Sequence, residues 1–141
     1  MLYIEDDART LWPSVAAALA SLEPLDMVLC LYEGDGPESF ISPFQAPGID
    51  EYLEPVTGYG DGVHPVCSAR VAIDERLLSW LEPRTNDFED WGDSLSIYRP
   101  GKNELVAAVI PHEGMILVAD EFGSALSASG FRPSADPPDW W

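Results

Sequence analysis

Seven consecutive residues, Asp87-Phe88-Glu89-Asp90-Trp91-Gly92-Asp93, set four carboxylates and two aromatic rings side by side. Carboxylates at this density can ligate a divalent cation, act as acid and base, or meet a cationic partner. Calcium is tested by spacing. With Asp87 as position 1, Glu89 and Gly92 fall correctly at 3 and 6, but position 5 is Trp91 and position 12 is Tyr98, where a bidentate Glu belongs. The spacing rejects an EF-hand, and a solvated acidic loop is the plain alternative. As a protein-binding surface the same loop has the right composition. Phe88 and Trp91 would be apolar anchors, and Asp87, Glu89, Asp90 and Asp93 a charged rim for a basic partner. The competing reading buries the two rings in the protein's own core.

The other chemistry-bearing strings are weaker. Gly92-Asp93-Ser94-Leu95 spells the GDSL motif of a serine-hydrolase family. In that family the serine lies near the N-terminus and an Asp-x-x-His pair near the C-terminus. Here the string comes late and enters a strand-like run, and the one Asp-x-x-His spacing, Asp61 to His64, precedes it. A serine nucleophile needs a base held by a third group, so no catalytic residue is assigned. Gly58-Tyr59-Gly60-Asp61-Gly62 has no following Lys-Ser or Lys-Thr and no nearby cation for a phosphate. His112 beside Glu113 reads as a turn pair. Two histidines and two distant cysteines do not make a zinc spacing. No metal and no cofactor are expected.

Charge narrows the class of function further. The chain has 25 Asp plus Glu against 7 Lys plus Arg, a formal charge of -18, and between Thr10 and Ala69 it has nine carboxylates and no Lys or Arg. Such a surface repels nucleic acid and anionic membranes. Glu33, Asp35 and Glu38, in the Pro/Gly-rich part of that stretch, join the Asp87–Asp93 loop as candidate partner-binding residues. Hydrophobic residues still make up 46% of the 141 residues, which argues for a folded core. Cys30 and Cys67 read as free thiols in strands. No signal-peptide pattern opens the chain, and no apolar run is long enough to span a bilayer. A cytoplasmic location is expected.

These residues must be positioned by a single α+β domain over 1–141. Thr10 is expected to cap a helix from Leu11 to Leu22 whose apolar stripe is Leu11, Val15, Ala18, Leu19 and Leu22, with Pro13 in its first turn. Met27–Tyr32 reads as a strand covered on both sides. Residues 34–63 read as irregular, with one turn of helix near Ile49–Leu53. Val66–Ile73 is a second strand. Asp74 is expected to cap a short helix carrying Leu77, Leu78 and Leu81. Leu95–Arg99, Glu104–Ile110 and Met115–Ala119 predict an antiparallel meander, its first turn set by Pro100-Gly101. Asp120 is expected to cap a last helix to Ser129, closed by Gly130 and Phe131. The Pro-rich tail, 133–141, ends in Trp140-Trp141 and is expected to dock.

In size, charge, aromatic content and α+β pattern the chain resembles small, strongly acidic bacterial immunity proteins. That resemblance implies an inhibitor that neutralises a basic protein, a toxin. Two alternatives stay open: a small carboxylate- or metal-dependent hydrolase, and an adaptor or chaperone for a basic secreted effector.

Overall fold

The computed structural model describes residues 1–4, 8–32, 52–56, 66–84, 92–110, 114–137 and 139. Among them the strands are β1 (Leu2–Ile4), β2 (Asp26–Tyr32), β3 (Tyr52–Val56), β4 (Val66–Ala72), β5 (Gly92–Tyr98), β6 (Leu105–Ile110) and β7 (Met115–Val118). The helices are α1 (Ala8–Ala20), α2 (Glu75–Leu81) and α3 (Gly123–Ala128). The strands form one sheet in the order β1-β7-β6-β5-β2-β4-β3, every adjacent pair antiparallel. This is the expected α+β class, with the expected meander as β5, β6 and β7.

Register explains where the core sits. Successive residues of a strand face opposite sides, so paired residues line up in rows across a sheet. One row runs Leu29, Leu95, Val109, Ile116, Ile4, and the next runs Met27, Ile97, Ala107, Val118, Leu2. Nine of these ten residues are buried, Leu2 being the half-buried exception at the edge. Trp12, Val15, Ala16 and Leu19 of α1, Leu77 and Leu81 of α2, and Phe122 and Leu126 at the C-terminal end join them in one cluster. The apolar stripe of α1 is thus rotated from the expected one. Positions 12, 15, 16 and 19 carry the helical spacing, and Leu22, beyond the helix end, is 52% exposed. A tryptophan offers far more apolar area than a leucine, and the helix turns to bury it.

Three local signals act as expected. Asp74 is the N-cap of α2, its Oδ1 accepting from the Leu77 amide at 2.8 Å. Pro100 and Gly101, the latter at φ +66°, are the centre of a turn closed by the Lys102 amide donating to the Arg99 carbonyl at 3.1 Å. Positive φ at the third residue is the type II geometry. After α3, the Gly130 amide donates to Ser127 and the Phe131 amide to Leu126, both over 3.1 Å, with Gly130 at φ +93°. This pair of bonds is a Schellman stop.

Other expectations are corrected. α1 begins at Ala8, so Thr10 lies inside the helix and Pro13 in its second turn. Asp120 is not a cap. Ala119 holds that position, before a 3-10 turn Asp120–Phe122 that leads into α3, and the Asp120 carboxylate pairs instead with the Met1 ammonium at 2.6 Å. An N-terminal amine is a stronger partner for a carboxylate than a peptide amide. Residues 52 and 53, expected at the end of a helical turn, open β3. Pro55 is tolerated there because β3 is an edge strand and its register shifts between Leu53 and Val56. On β2, Met27 and Leu29 are buried but Val28 is half-buried, so among its described side chains only one face is fully covered. The start of the tail meets β1: Tyr3 and Ser134 exchange two backbone bonds of 2.8 Å. Trp140 and Trp141, expected to dock, lie outside the described residues.

Candidate protein-binding surface

The sheet has two chemically different ends. At one end lie Asp26, Ala72, Tyr98, Leu105 and Val118; at the other lie Ile4, Tyr32, Val56, Val66, Gly92, Ile110 and Met115. The first end holds a tight ionic network. Arg70 Nε donates to Asp26 at 2.9 Å, and its Nη2 donates to the carbonyls of Arg99 and Lys102, both at 3.0 Å. The same guanidinium lies over the Tyr98 ring, 5.6 Å from its centroid. Arg99 Nε donates to Glu23 at 2.7 Å, Nη1 to Glu104 and Nη2 to Glu121. Its guanidinium lies 5.7 Å from the centroid of Phe122. Hydrogen bonding from Glu121, then from Glu23, holds the Arg99 pKa well above its ordinary value. Three cations are therefore gathered here with four carboxylates.

The segments joined to the opposite strand ends lie outside the described residues and are acidic in sequence. The segments that begin or end at this end are 5–7, 33–51, 57–65, 85–91 and 111–113. They carry Glu5, Asp6, Asp7, Glu33, Asp35, Glu38, Asp61, Asp87, Glu89, Asp90 and Glu113, with Asp50 and Glu51 adjoining Tyr52 at the other end of β3, and no Lys or Arg lies within them, Arg9 and Arg84 standing just outside two of the segments. Of the predicted binding residues, Glu33, Asp35, Glu38, Asp87, Phe88, Glu89, Asp90 and Trp91 lie outside the described residues. Asp93 is the second residue of β5. The register nevertheless relates the two predicted segments. Leu31 is paired with Gly92, so the chain leaves β2 toward Glu33 beside the point where it enters β5 from Trp91. Segments more than fifty residues apart in sequence are attached to adjacent strands.

Ser94 of the GDSL string is paired with Cys30 in the interior of the sheet. A nucleophile of this kind sits on a turn beyond a strand, and Ser94 does not. Cys30 is paired with Ser68 and Cys67 with Leu31, one position out of step. Among the described residues no group of three His, Cys, Asp or Glu side chains is arranged to hold a metal ion. No helix among them is long and apolar enough to cross a membrane.

A second surface feature was not expected from sequence. α1 and α2 leave between them an open groove of about 350 Å³, bordered by Pro13 and Ala17 on one helix and by Glu75, Leu78, Ser79 and Glu82 on the other side. Sequence reasoning missed it because it assigned each helix an inner face and left the outer faces unexamined. The signal was Glu75 and Glu82, seven residues apart and so on one side of the segment. No protein family, characterised protein or solved structure matches this chain.

Proposed function

We propose that the protein is an acidic binding protein that captures and neutralises a basic protein partner. In its most concrete form it is an immunity protein that inhibits a bacterial toxin. The observation that carries this reading is the polarity of the sheet. Arg70, Arg99 and Lys102 are drawn to one end and paired there. Eleven carboxylates, Asp50 and Glu51 apart, belong to segments attached at the other, and no Lys or Arg lies within those segments. A region of net negative charge steers a cationic partner into encounter and orients it. Affinity then comes from apolar anchors excluded from water, and Phe88 and Trp91 stand among the acids of one of those segments. Asp87, Glu89, Asp90 and Asp93, together with Glu33, Asp35 and Glu38, form the rim in this reading.

Co-expression tests it. A basic protein encoded next to this chain should be toxic alone, harmless when the chain is produced with it, and recovered in a stoichiometric complex. Toxicity unrelieved by the chain, with no complex formed, would reject the immunity role.

A further inference from the structure

We propose that the tail of this chain seats Trp140 and Trp141 on the second face of the sheet, the face away from the helices, over Leu105 and Leu117 at the ionic end. The inference does not rest on what the protein binds. The second face is read from the register. One row runs Tyr3, Leu117, Ala108, Ser96, Val28, Arg70, and all six are half-buried. Tyr98, whose ring lies beneath Arg70, and its paired residue Leu105 belong to the same face. Among the described residues three large apolar side chains are exposed. One is Leu22. The other two, Leu105 at 38% and Met1 at 44%, both stand at the ionic end.

The course of the tail leads there. Phe131 packs against the helix-side cluster, and three residues on, Ser134 exchanges its two bonds with Tyr3 at the sheet edge. The chain has thus crossed from the helix layer into the plane of the sheet. Its pairing with β1 is antiparallel, so it is directed toward the ionic end. Leu105 lies about 14 Å away across three inter-strand spacings and about 7 Å along the strands, about 16 Å in all. Trp140 is six residues beyond Ser134, and six residues span at most about 20 Å.

Charge selects this occupant over others. A second copy carries the same charge of -18 and is repelled. A basic partner meets Arg70, Arg99 and Lys102, which all stand at this end. The tail brings acids, Asp136 and Asp139, with its two indoles. Lys102 is exposed, and its ammonium is 3.9 Å from Glu104, too far for a direct hydrogen bond. It is therefore placed to meet a tail carboxylate while an indole covers Leu105. An indole suits such a half-wet seat, with an apolar body and one polar N–H.

The test uses the full chain labelled with 5-fluorotryptophan, each fluorine signal assigned by a Trp→Phe variant. At least one tail indole should show a smaller H2O-to-D2O shift than the free amino acid, and Leu105→Asp should raise that shift to the free value. Trp140→Ser with Trp141→Ser should move the methyl signals of Leu105 and Leu117 and leave those of Leu77 and Leu126 unmoved. Leu105 is exposed, and far-UV circular dichroism checks the fold of each variant. Tail indoles with the full free shift in the parent, insensitivity to Leu105→Asp, or movement of Leu77 and Leu126 instead would overturn the proposal. A dimer in sedimentation velocity that the double Ser variant converts to monomer would also overturn it, because the tail would then cover a second copy.

Discussion

Arg99 donates from Nε to Glu23 across 2.7 Å and 76 positions of sequence. The same guanidinium holds Glu104 across its own β5–β6 hairpin and Glu121 in the 3-10 turn before the last helix. One cation thus ties the end of the α1–β2 connection to the meander and to the last helix.

Replacing it should therefore loosen three elements at once. Arg99→Met should lower the melting temperature and expose the mutual repulsion of three glutamates. Arg99→Lys should recover only part of the loss, because an ammonium cannot reproduce the fork that meets several carboxylates. The sign of the pH dependence follows from the raised pKa. A cation with a raised folded pKa contributes fully below its unfolded pKa and loses the contribution only as pH rises through the folded value. Both lie far above neutrality, so the difference in melting temperature between parent and Arg99→Met should stay constant from about pH 7 to about pH 10. A difference that shrinks over that range would contradict the assignment.

Arg70 acts on the other face of the same end. It bonds Asp26 and caps two carbonyls of the turn whose central residues are Pro100 and Gly101. Arg70→Ala should cost about 1–2 kcal/mol by chemical denaturation, the worth of a half-buried ion pair with its additional bonds. The amides of Arg99 to Lys102 should exchange faster with solvent. Unchanged exchange in the turn would show that Pro100 and Gly101 hold it unaided.

Trp12 and Leu22 give a direct contrast between burial and pattern. Trp12 is 1% exposed and sits in the core cluster. Trp12→Ala should cost about 3–5 kcal/mol. Leu22 belongs to the stripe expected from sequence but is exposed, and Leu22→Ala should stay within about 0.5 kcal/mol of the parent. Equal effects in urea titrations would put the helix in the orientation expected from sequence.

Salt should stabilise this fold. A charge of -18 repels itself across the surface, and screening grows as the Debye length falls from about 30 Å at 0.01 M to about 8 Å at 0.15 M. The melting temperature should rise over that range of NaCl. A steady fall would mean that the Arg70 and Arg99 pairs outweigh the repulsion among the remaining acids.

The proposed partner interface makes separable kinetic predictions. Trp91→Ala should chiefly raise the dissociation rate of the complex, at a cost of about 2 kcal/mol or more for a buried anchor. Neutralising Asp87 and Asp90 together should chiefly slow association and flatten its salt dependence. Surface plasmon resonance at several ionic strengths separates the two. If Trp91→Ala unfolds the protein and leaves residual folded material binding normally, Trp91 is a core residue and not an anchor.

Some of this molecule was legible in its residues before any tertiary contact was known. The Asp74 cap, the Pro100-Gly101 turn, the Gly130-Phe131 stop and the three strands of the meander each depend on groups within a few positions of one another. Local sterics and local hydrogen bonds decide such features. The charge and the aromatic content of the Asp87–Asp93 segment were legible for the same reason, being properties of composition. Strand order was not. β2 follows α1 in the chain yet pairs with β5 and β4, and β3 with its Pro55 reads as a loop until β4 stands beside it. The side that α1 buries, the partners of Arg70 and Arg99, and the attachment of the Glu33 and Trp91 segments at the paired residues Leu31 and Gly92 were settled only by tertiary structure. Each joins residues dozens of positions apart. Their pairing follows from the register that aligns two apolar rows across five strands beneath the helices, and no local stretch of sequence contains that register.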